Sequence, residues 1–429
     1  MSTPASAVQP AWDYEALAAL VRGERLPLVV VDLDLFEANV RRLVGIAAAH
    51  GKRLRPASKS VRVPELLRLI ARVGAPTVRG VMCYSVDEAS LLASEGLDDF
   101  LVAYPTVQET DVEIAWDLTQ AGKTLALMLD SPEHAALLGL AWTGRAERHA
   151  GAPPLRVCID VDMSWRPLGQ HVGVQRSPVR TLSDFARVVD AVLAEPTLRL
   201  AGVMGYEAQI AGLGDENPFA PLLNPAKKLI KSQSTRDVAQ RRGEIAKLLK
   251  SRGVQLDFFN GGGTGSIRTT TLEPWITEVT AGSGFLQSHL FDYYASNENA
   301  PAYCFALQVT RSSQPDHVTC QGGGFIASGP TDADKAPVPF LPPGLRRTGQ
   351  DRSEERLARR VVAGLEEAAR PEEEERRMGR SFTQALLDLL EALAVAALRE
   401  EPFGARAKGG DRVRGARPGT DGGEEKQNR

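Results

Sequence analysis

A rhythm runs through more than half of this chain. Between residues 53 and 284, short apolar runs alternate with longer amphipathic stretches, eight times over. The runs are RLRPASK ending at Lys59, RGVMCYS at Ser85, DFLVAYP at Pro105, TLALMLD at Asp130, LRVCIDVD at Asp162, LAGVMGYEA at Ala208, LDFFNGGG starting at Leu256, and ITEVTAGSG ending at Gly284. Between them, PELLRLIARVG, VDEASLLASEG and LSDFARVVDAVLAE place apolar residues three and four apart, the helical spacing. A strand that hands over to a helix before the next strand makes parallel neighbours joined by crossovers. Eight such units predict an α/β fold, a TIM (β/α)8 barrel. A doubly wound open sheet usually carries a glycine fingerprint after its first strand, and none appears here.

The flanks differ from this core. LPLVVVDLD, residues 26–34, reads as a strand leading into a helix through Ala48 with Asp34 as its N-cap. After Gly284 the pattern becomes strands and turns without helices, the start of a β-rich domain with which strand 26–34 could pair. From Asp351 onward 33 of 79 residues are charged, against 72 of the first 350, so the last segment reads as solvated polymer. Within it, Ser381-Phe-Thr-Gln384 is a capping-box pattern opening an apolar run, which predicts a helix over 382–400. The expected plan is an N-terminal extension (1–25), a barrel (26–290), a partial β-rich domain (291–350) and a charged tail (351–429).

Composition removes several function classes. Lys+Arg 51 against Asp+Glu 54 gives a net charge of -3, which argues against a nucleic-acid binder. Four cysteines without a CxxC pair argue against a disulfide scaffold or a structural zinc module. The opening MSTPASAVQPAW lacks the pattern of a signal peptide, and no uncharged apolar run reaches the roughly 18 residues of a membrane span. A cytoplasmic enzyme with a small-molecule substrate is the expectation.

In a barrel, chemistry collects where the strands end. Lys59 ends the first barrel strand, and a lysine desolvated in a barrel mouth can attack a carbonyl to form a Schiff base. Asn260-Gly-Gly-Gly-Thr-Gly-Ser266 ends the seventh; its backbone N–H groups, with the hydroxyls of Thr264 and Ser266, suit a phosphate. AGSG, residues 281–284, adds the eighth loop, where barrels commonly bind phosphate. A lysine and a phosphate cradle across one mouth are what pyridoxal 5'-phosphate requires, an aldehyde to bond and a phosphate to anchor.

The order of these elements resembles the fold-type III pyridoxal-phosphate enzymes, which include alanine racemase, D-threonine aldolase and D-serine dehydratase. Arg55-Pro56-Ala57-Ser58-Lys59-Ser60-Val61-Arg62 is most similar to a bacterial amino-acid deaminase/aldolase group. The resemblance spans about residues 20–350 and implies a lyase acting on D- or β-hydroxy amino acids. Lys59 would then be both the Schiff-base lysine and the proton shuttle at the substrate Cα. Arg166 would lie beside the cofactor ring, or simply pair with Asp162. Tyr206 would flank the cofactor, or be a buried strand-end tyrosine. Gly262, Gly263, Thr264 and Gly265, with Gly282 and Ser283, would hold the phosphate; His171 is the one histidine near these loops.

Ala57 and Val61 stand where aldolases and dehydratases of this kind typically carry histidines, which shifts the expected substrate. The resemblance also implies a divalent metal bound near the C-terminus by a His and a Cys or Asp. Asp316, His317 and Cys320 come too early for that pair, so no metal ligands are assigned. Two other functions stay open: an amino-acid racemase, which would need a tyrosine such as Tyr293, Tyr294 or Tyr303 from a homodimer partner, and a non-catalytic pyridoxal-phosphate-binding protein.

Overall fold

The eight repeats become eight parallel strands in the computed structural model, which describes residues 13–147, 151–314, 317–322, 337–347 and 354–359. A first strand, Leu28–Val31 (β1), precedes them. The eight are Arg53–Pro56 (β2), Val81–Cys83 (β3), Phe100–Val102 (β4), Leu125–Leu129 (β5), Leu155–Asp160 (β6), Leu198–Met204 (β7), Phe258–Gly261 (β8) and Glu278–Ala281 (β9). Their hydrogen-bonded order is β2-β9-β8-β7-β6-β5-β4-β3, and the bridges Leu54↔Val78 and Ala57↔Met82 bring the two edges together. The fold is a TIM-type barrel, as the rhythm required. Every strand stops short of its predicted end, because the last residues leave the ladder to become the mouth.

Alternation along each strand sorts side chains to two places. Outward residues such as Leu54, Val81, Leu127, Val157 and Val203 join helix residues such as Phe36, Leu67, Trp142 and Phe185 in the main apolar core. Each large side chain fully buried there contributes roughly 1.5–3 kcal/mol. Inward residues form a separate cluster of Ala57, Met82, Leu101, Ala126, Met128, Cys158, Met204 and Phe258. The barrel interior is therefore filled by side chains, and its C-terminal end is where chemistry is to be sought.

Beneath that cluster lies a polar floor. Arg55, on β2, donates from Nε to Glu278 Oε1 at 2.7 Å and from Nη2 to Glu278 Oε2 at 2.9 Å. Its Nη1 reaches the Asp99 carbonyl at 2.6 Å, and Asn260 Nδ2 donates to Glu278 Oε1 at 2.8 Å. Burial alone would weaken the guanidinium's hold on its proton, but Glu278 and Asp99 more than reverse this and raise its pKa.

The outer helices start where capping chemistry directs them. The helix Leu33–Ala48 is capped by Asp32, whose carboxylate accepts from the Leu35 amide at 3.0 Å. Asp34, the predicted cap, lies in its first turn. Thr181 and Asp184 form a full capping box on the helix Leu182–Ala194.

After the barrel, Tyr303–Ala306 (β10) pairs antiparallel with β1, Leu28 opposite Ala306 and Val31 opposite Tyr303. Gln308–Gln314 (β11), His317–Gln321 (β12), Leu345–Arg347 (β13) and Glu354–Arg359 (β14) form a four-stranded antiparallel sheet, ordered β11-β12-β14-β13. Strand β14 lies beyond residue 350, so the β-rich region runs further than its composition suggested. All described residues fall in the first of two units, Met1–Ala369, and the helix expected over 382–400 lies outside them. Among the described residues no helix is long and apolar enough to cross a membrane.

Candidate active site at the barrel mouth

Counting two residues upward from the inner apolar layer gives the lining of the mouth: Tyr84 on the β3 side, Asp130 after β5, Asp160 ending β6, Tyr206 after β7 and, on β8, Asn260, with Gly262 two residues further on. Lys59 joins them from the short helical turn Ser58–Ser60 that follows β2. That turn is pinned by Ser58, whose hydroxyl donates to the Met82 carbonyl at 3.0 Å. The Lys59 side chain remains open to the mouth, and no hydrogen bond or ion pair of its ammonium is found among the described residues. Partial burial and the nearby Arg176 guanidinium both lower its pKa. A lysine so placed supplies free amine at lower pH than an ordinary one.

The two glycine loops lie against this turn. Ser60 Oγ is 3.4 Å from Ser283 Oγ, and a Cβ added at Gly282 would fall 2.6 Å from Ser60 Oγ. The Gly284 amide donates to Thr264 Oγ1 at 2.9 Å, joining the loop after β9 to the loop after β8. Gly262 has φ +89, a left-handed conformation that favours glycine. At Gly265 a Cβ would come within 2.3 Å of the Ala211 carbonyl oxygen, so glycine is required there by contact. Among the described residues the amides of Thr264 and Gly265 have no protein acceptor, which is what an anion cradle leaves open. Ser266 does not serve it: its hydroxyl donates to Glu207 Oε1 at 2.7 Å.

Glu207 organises the glycine loop from behind. Fully buried, it accepts from the Gly262 amide at 3.1 Å, from Thr270 Oγ1 at 2.6 Å and from Ser266, and it is paired with Arg242. Burial alone would raise its pKa, but Arg242 and the three donors hold it below the usual carboxylate range. Neither Glu207 nor Arg242 stands out in the sequence. A carboxylate immediately after Tyr206 at a strand end is the available signal; its partner lies far along the chain on the helix Asn224–Ser251.

Tyr206 sits where a strand-end tyrosine is expected, behind Gly263, and a Cβ added at that glycine would lie 3.1 Å from the Tyr206 Cε2. Burial, with Glu207 beside it, pushes its hydroxyl up to about 12, so it is a neutral donor. Arg166 does not join the group. It lies on the loop after β6, exposed, with Nη2 3.5 Å from Asp162 Oδ2, and Arg180 Nε approaches the same oxygen at 3.3 Å. The arginine whose charge reaches Lys59, Tyr206 and Asp160 is Arg176, its guanidinium 5.9 Å from the centroid of the Tyr104 ring. Tyr104 in turn packs on Tyr84 at 4.8 Å between centroids. Nothing in the sequence marks Arg176, because the loop that returns it to the mouth has no regular pattern.

The remaining candidates lie elsewhere. His171 Nε2 is 3.1 Å from the Gly173 carbonyl, a local loop contact. Tyr294 donates its hydroxyl to the Ala211 carbonyl at 3.1 Å, behind Gly265. Tyr303 is on β10, and His317 and Cys320 share β12. Asp316 lies outside the described residues. Among the described residues no three His, Cys, Asp or Glu side chains come together as metal ligands.

Comparison with known proteins agrees with this architecture. A D-threonine aldolase from Filomicrobium marinum superposes with a TM-score of 0.65 at 21% identity, over 79% of this chain and 82% of that one. D-threo-3-hydroxyaspartate dehydratase from Delftia sp. superposes with a TM-score of 0.58 at 21% identity, over 79% and 84%. In sequence, 3-hydroxy-D-aspartate aldolase of Paracoccus denitrificans is 25% identical over 282 residues, 66% of this chain and 65% of that protein, so the chain spans just under two thirds of that relative. D-threonine aldolase of an Arthrobacter species is 26% identical over 328 residues, 75% and 77% of the two chains. Residues 31–285, which carry the barrel strands, Lys59 and both glycine loops, match the alanine racemase N-terminal domain. The chain belongs to that family.

Proposed function

We propose that this protein is a pyridoxal-phosphate-dependent lyase acting on D- or β-hydroxy amino acids. The observation that carries the reading is the contact between the Lys59 turn and the loops 262–265 and 282–284: an amine free of partners among the described residues stands beside a cradle with open amides. The residues fit the cofactor. Lys59 would bond its aldehyde, the amides of Thr264 and Gly265 with the Ser60 and Ser283 hydroxyls would hold its phosphate, and Tyr206 would flank it. When bound, pyridoxal phosphate supplies an electron sink that acidifies the substrate Cα proton. The chain's own work is to place groups around that proton. Lys59, with its lowered pKa, takes it. Arg176 offers the substrate carboxylate a guanidinium that closes no ion pair among the described residues.

The names of the relatives support the substrate class, since D-threonine and 3-hydroxyaspartate both carry a β-hydroxyl. A divalent metal would polarise that hydroxyl, but the described residues do not assemble its ligands, and no step is assigned to it. The test is reconstitution. The full chain with pyridoxal phosphate should develop a visible absorption band that Lys59→Ala abolishes, and should then turn over at least one of D-threonine, D-serine or 3-hydroxy-D-aspartate. A chain that folds yet gains no band would defeat the proposal.

A further inference from the structure

Among the acidic groups at the mouth, Asp160 stands apart. Strands β5 and β6 are in register, Leu129 opposite Ile159, so Asp130 and Asp160 stand side by side at the top of the barrel. In the strand order, β6 is four places from β2 in either direction, so Asp160 faces Lys59 across the mouth. Asp160 is only 9% exposed, and among the described residues its carboxyl closes no ion pair and no hydrogen bond with another side chain. Asp130 is engaged instead by His134, Nδ1 to Oδ1 at 3.0 Å. Asp162 is taken by Arg166 and Arg180.

We infer that the Asp160 carboxyl is the acid that protonates the departing β-hydroxyl of the substrate, which makes this site a dehydratase rather than an aldolase. The inference rests on the lyase reading given above. In the step, the substrate Cα–H proton passes to the Lys59 amine. The Cβ–O bond breaks with its electron pair on oxygen, and the Asp160 proton joins that oxygen to release water. Lys59 then holds the extra proton and Asp160 the negative charge; solvent exchange returns both to their starting states. The unsaturated product, an enamine once free, takes up water to give a 2-oxo acid and ammonia, with no oxidant or reductant required.

The surroundings fit an acid at this point. Burial, with Asp130 close by, pushes the Asp160 carboxyl up to about 7, while Arg176 acts in the opposite direction. The groups that face it are Asp130 after β5, His134 from the helix Pro132–Ala146, Asp162 and Arg176 from its own loop, Cys158 from below, Tyr206 after the neighbouring β7, and Lys59 from across the mouth. A carboxyl protonated near neutrality can donate; an aldolase would need the same group as a carboxylate.

The test uses the full chain in two states. Without cofactor, infrared difference spectra across pH should reveal a carboxylic acid C=O signal that persists to near neutral pH and is missing in Asp160→Asn. With cofactor, Asp160→Asn should keep the visible band but lose about a hundredfold in ammonia release from D-serine or 3-hydroxy-D-aspartate. The Asp160→Glu variant should recover part of that loss. In the parent chain the rate should fall as pH rises through the titration of Asp160. Asp130→Asn, which removes a like charge, should move that fall to lower pH, and it serves as the test if Asp160→Asn does not fold. Unchanged turnover in Asp160→Asn, an Asp130→Asn profile that stays in place, or glycine and an aldehyde as the products would each overturn the inference. Absence of the visible band in the parent chain would instead count against the lyase reading.

Discussion

The floor and the mouth of this barrel hold similar charges and use them in opposite ways. On the floor, Arg55 is saturated by Glu278 and Asp99, and Asn260 fills in around them. At the mouth, the charge of Arg176 reaches both Lys59 and Asp160, yet none of the three closes an ion pair among the described residues. A buried charge left unpaired costs several kcal/mol, so evolution of a stable barrel favours the first arrangement. The second persists where unsatisfied groups are needed for a ligand. Satisfaction, rather than burial or charge type, separates the structural ionisable groups of this chain from the chemical ones.

That contrast can be broken by substitution. The largest effect should follow Lys59→Ala, which removes the amine and should cut turnover of the reconstituted protein by on the order of a thousandfold or more, with little change in melting temperature. On the floor the pattern reverses: Glu278→Ala leaves Arg55 with Asp99 alone and should cost about 3 kcal/mol in denaturant unfolding.

The Asp160 carboxyl links stability to pH. Its carboxyl titrates higher in the folded chain, about 7 against an ordinary 3.8, so the native state binds more protons between those values. Stability from this group is therefore lost as pH rises through that window. Asp160→Asn should stabilise the cofactor-free chain by about 1–3 kcal/mol at neutral pH, with no gain below about pH 4. A floor carboxylate treated the same way would destabilise.

Arg176→Met should raise the Lys59 pKa and make its free amine scarcer at neutral pH, seen as slower cofactor capture that recovers at alkaline pH. The smallest effect, and a control remote from both regions, is Thr181→Ala. It removes the capping box of the helix Leu182–Ala194 and should cost about 1 kcal/mol without touching cofactor binding.

Lys59 and the glycine loops are legible in the sequence because their meaning is local. A lysine after a short apolar run and glycines at a strand end need no distant partner to be recognised. Glu207 and Arg242 are hidden for the opposite reason: each is an ordinary charged residue until the fold pairs them. Arg166 looks better placed than Arg176 because it lies nearer β6 in sequence, yet the loop turns it toward Asp162 and brings Arg176 back. Strand β14, EERLAR, shares the charge density of the segment around it, and only its pairing with β12 and β13 distinguishes it.

The pairing of β1 with β10 sets a timetable for biosynthesis. Val31 is made early, but its partner Tyr303 follows about 270 residues later, a wait of roughly 15–60 s at ordinary rates of translation. During that interval the nascent chain carries a hydrophobic strand, LVVV, whose open edge has nothing to bond. The segment that must wait longest for its partner is therefore the one that precedes the barrel.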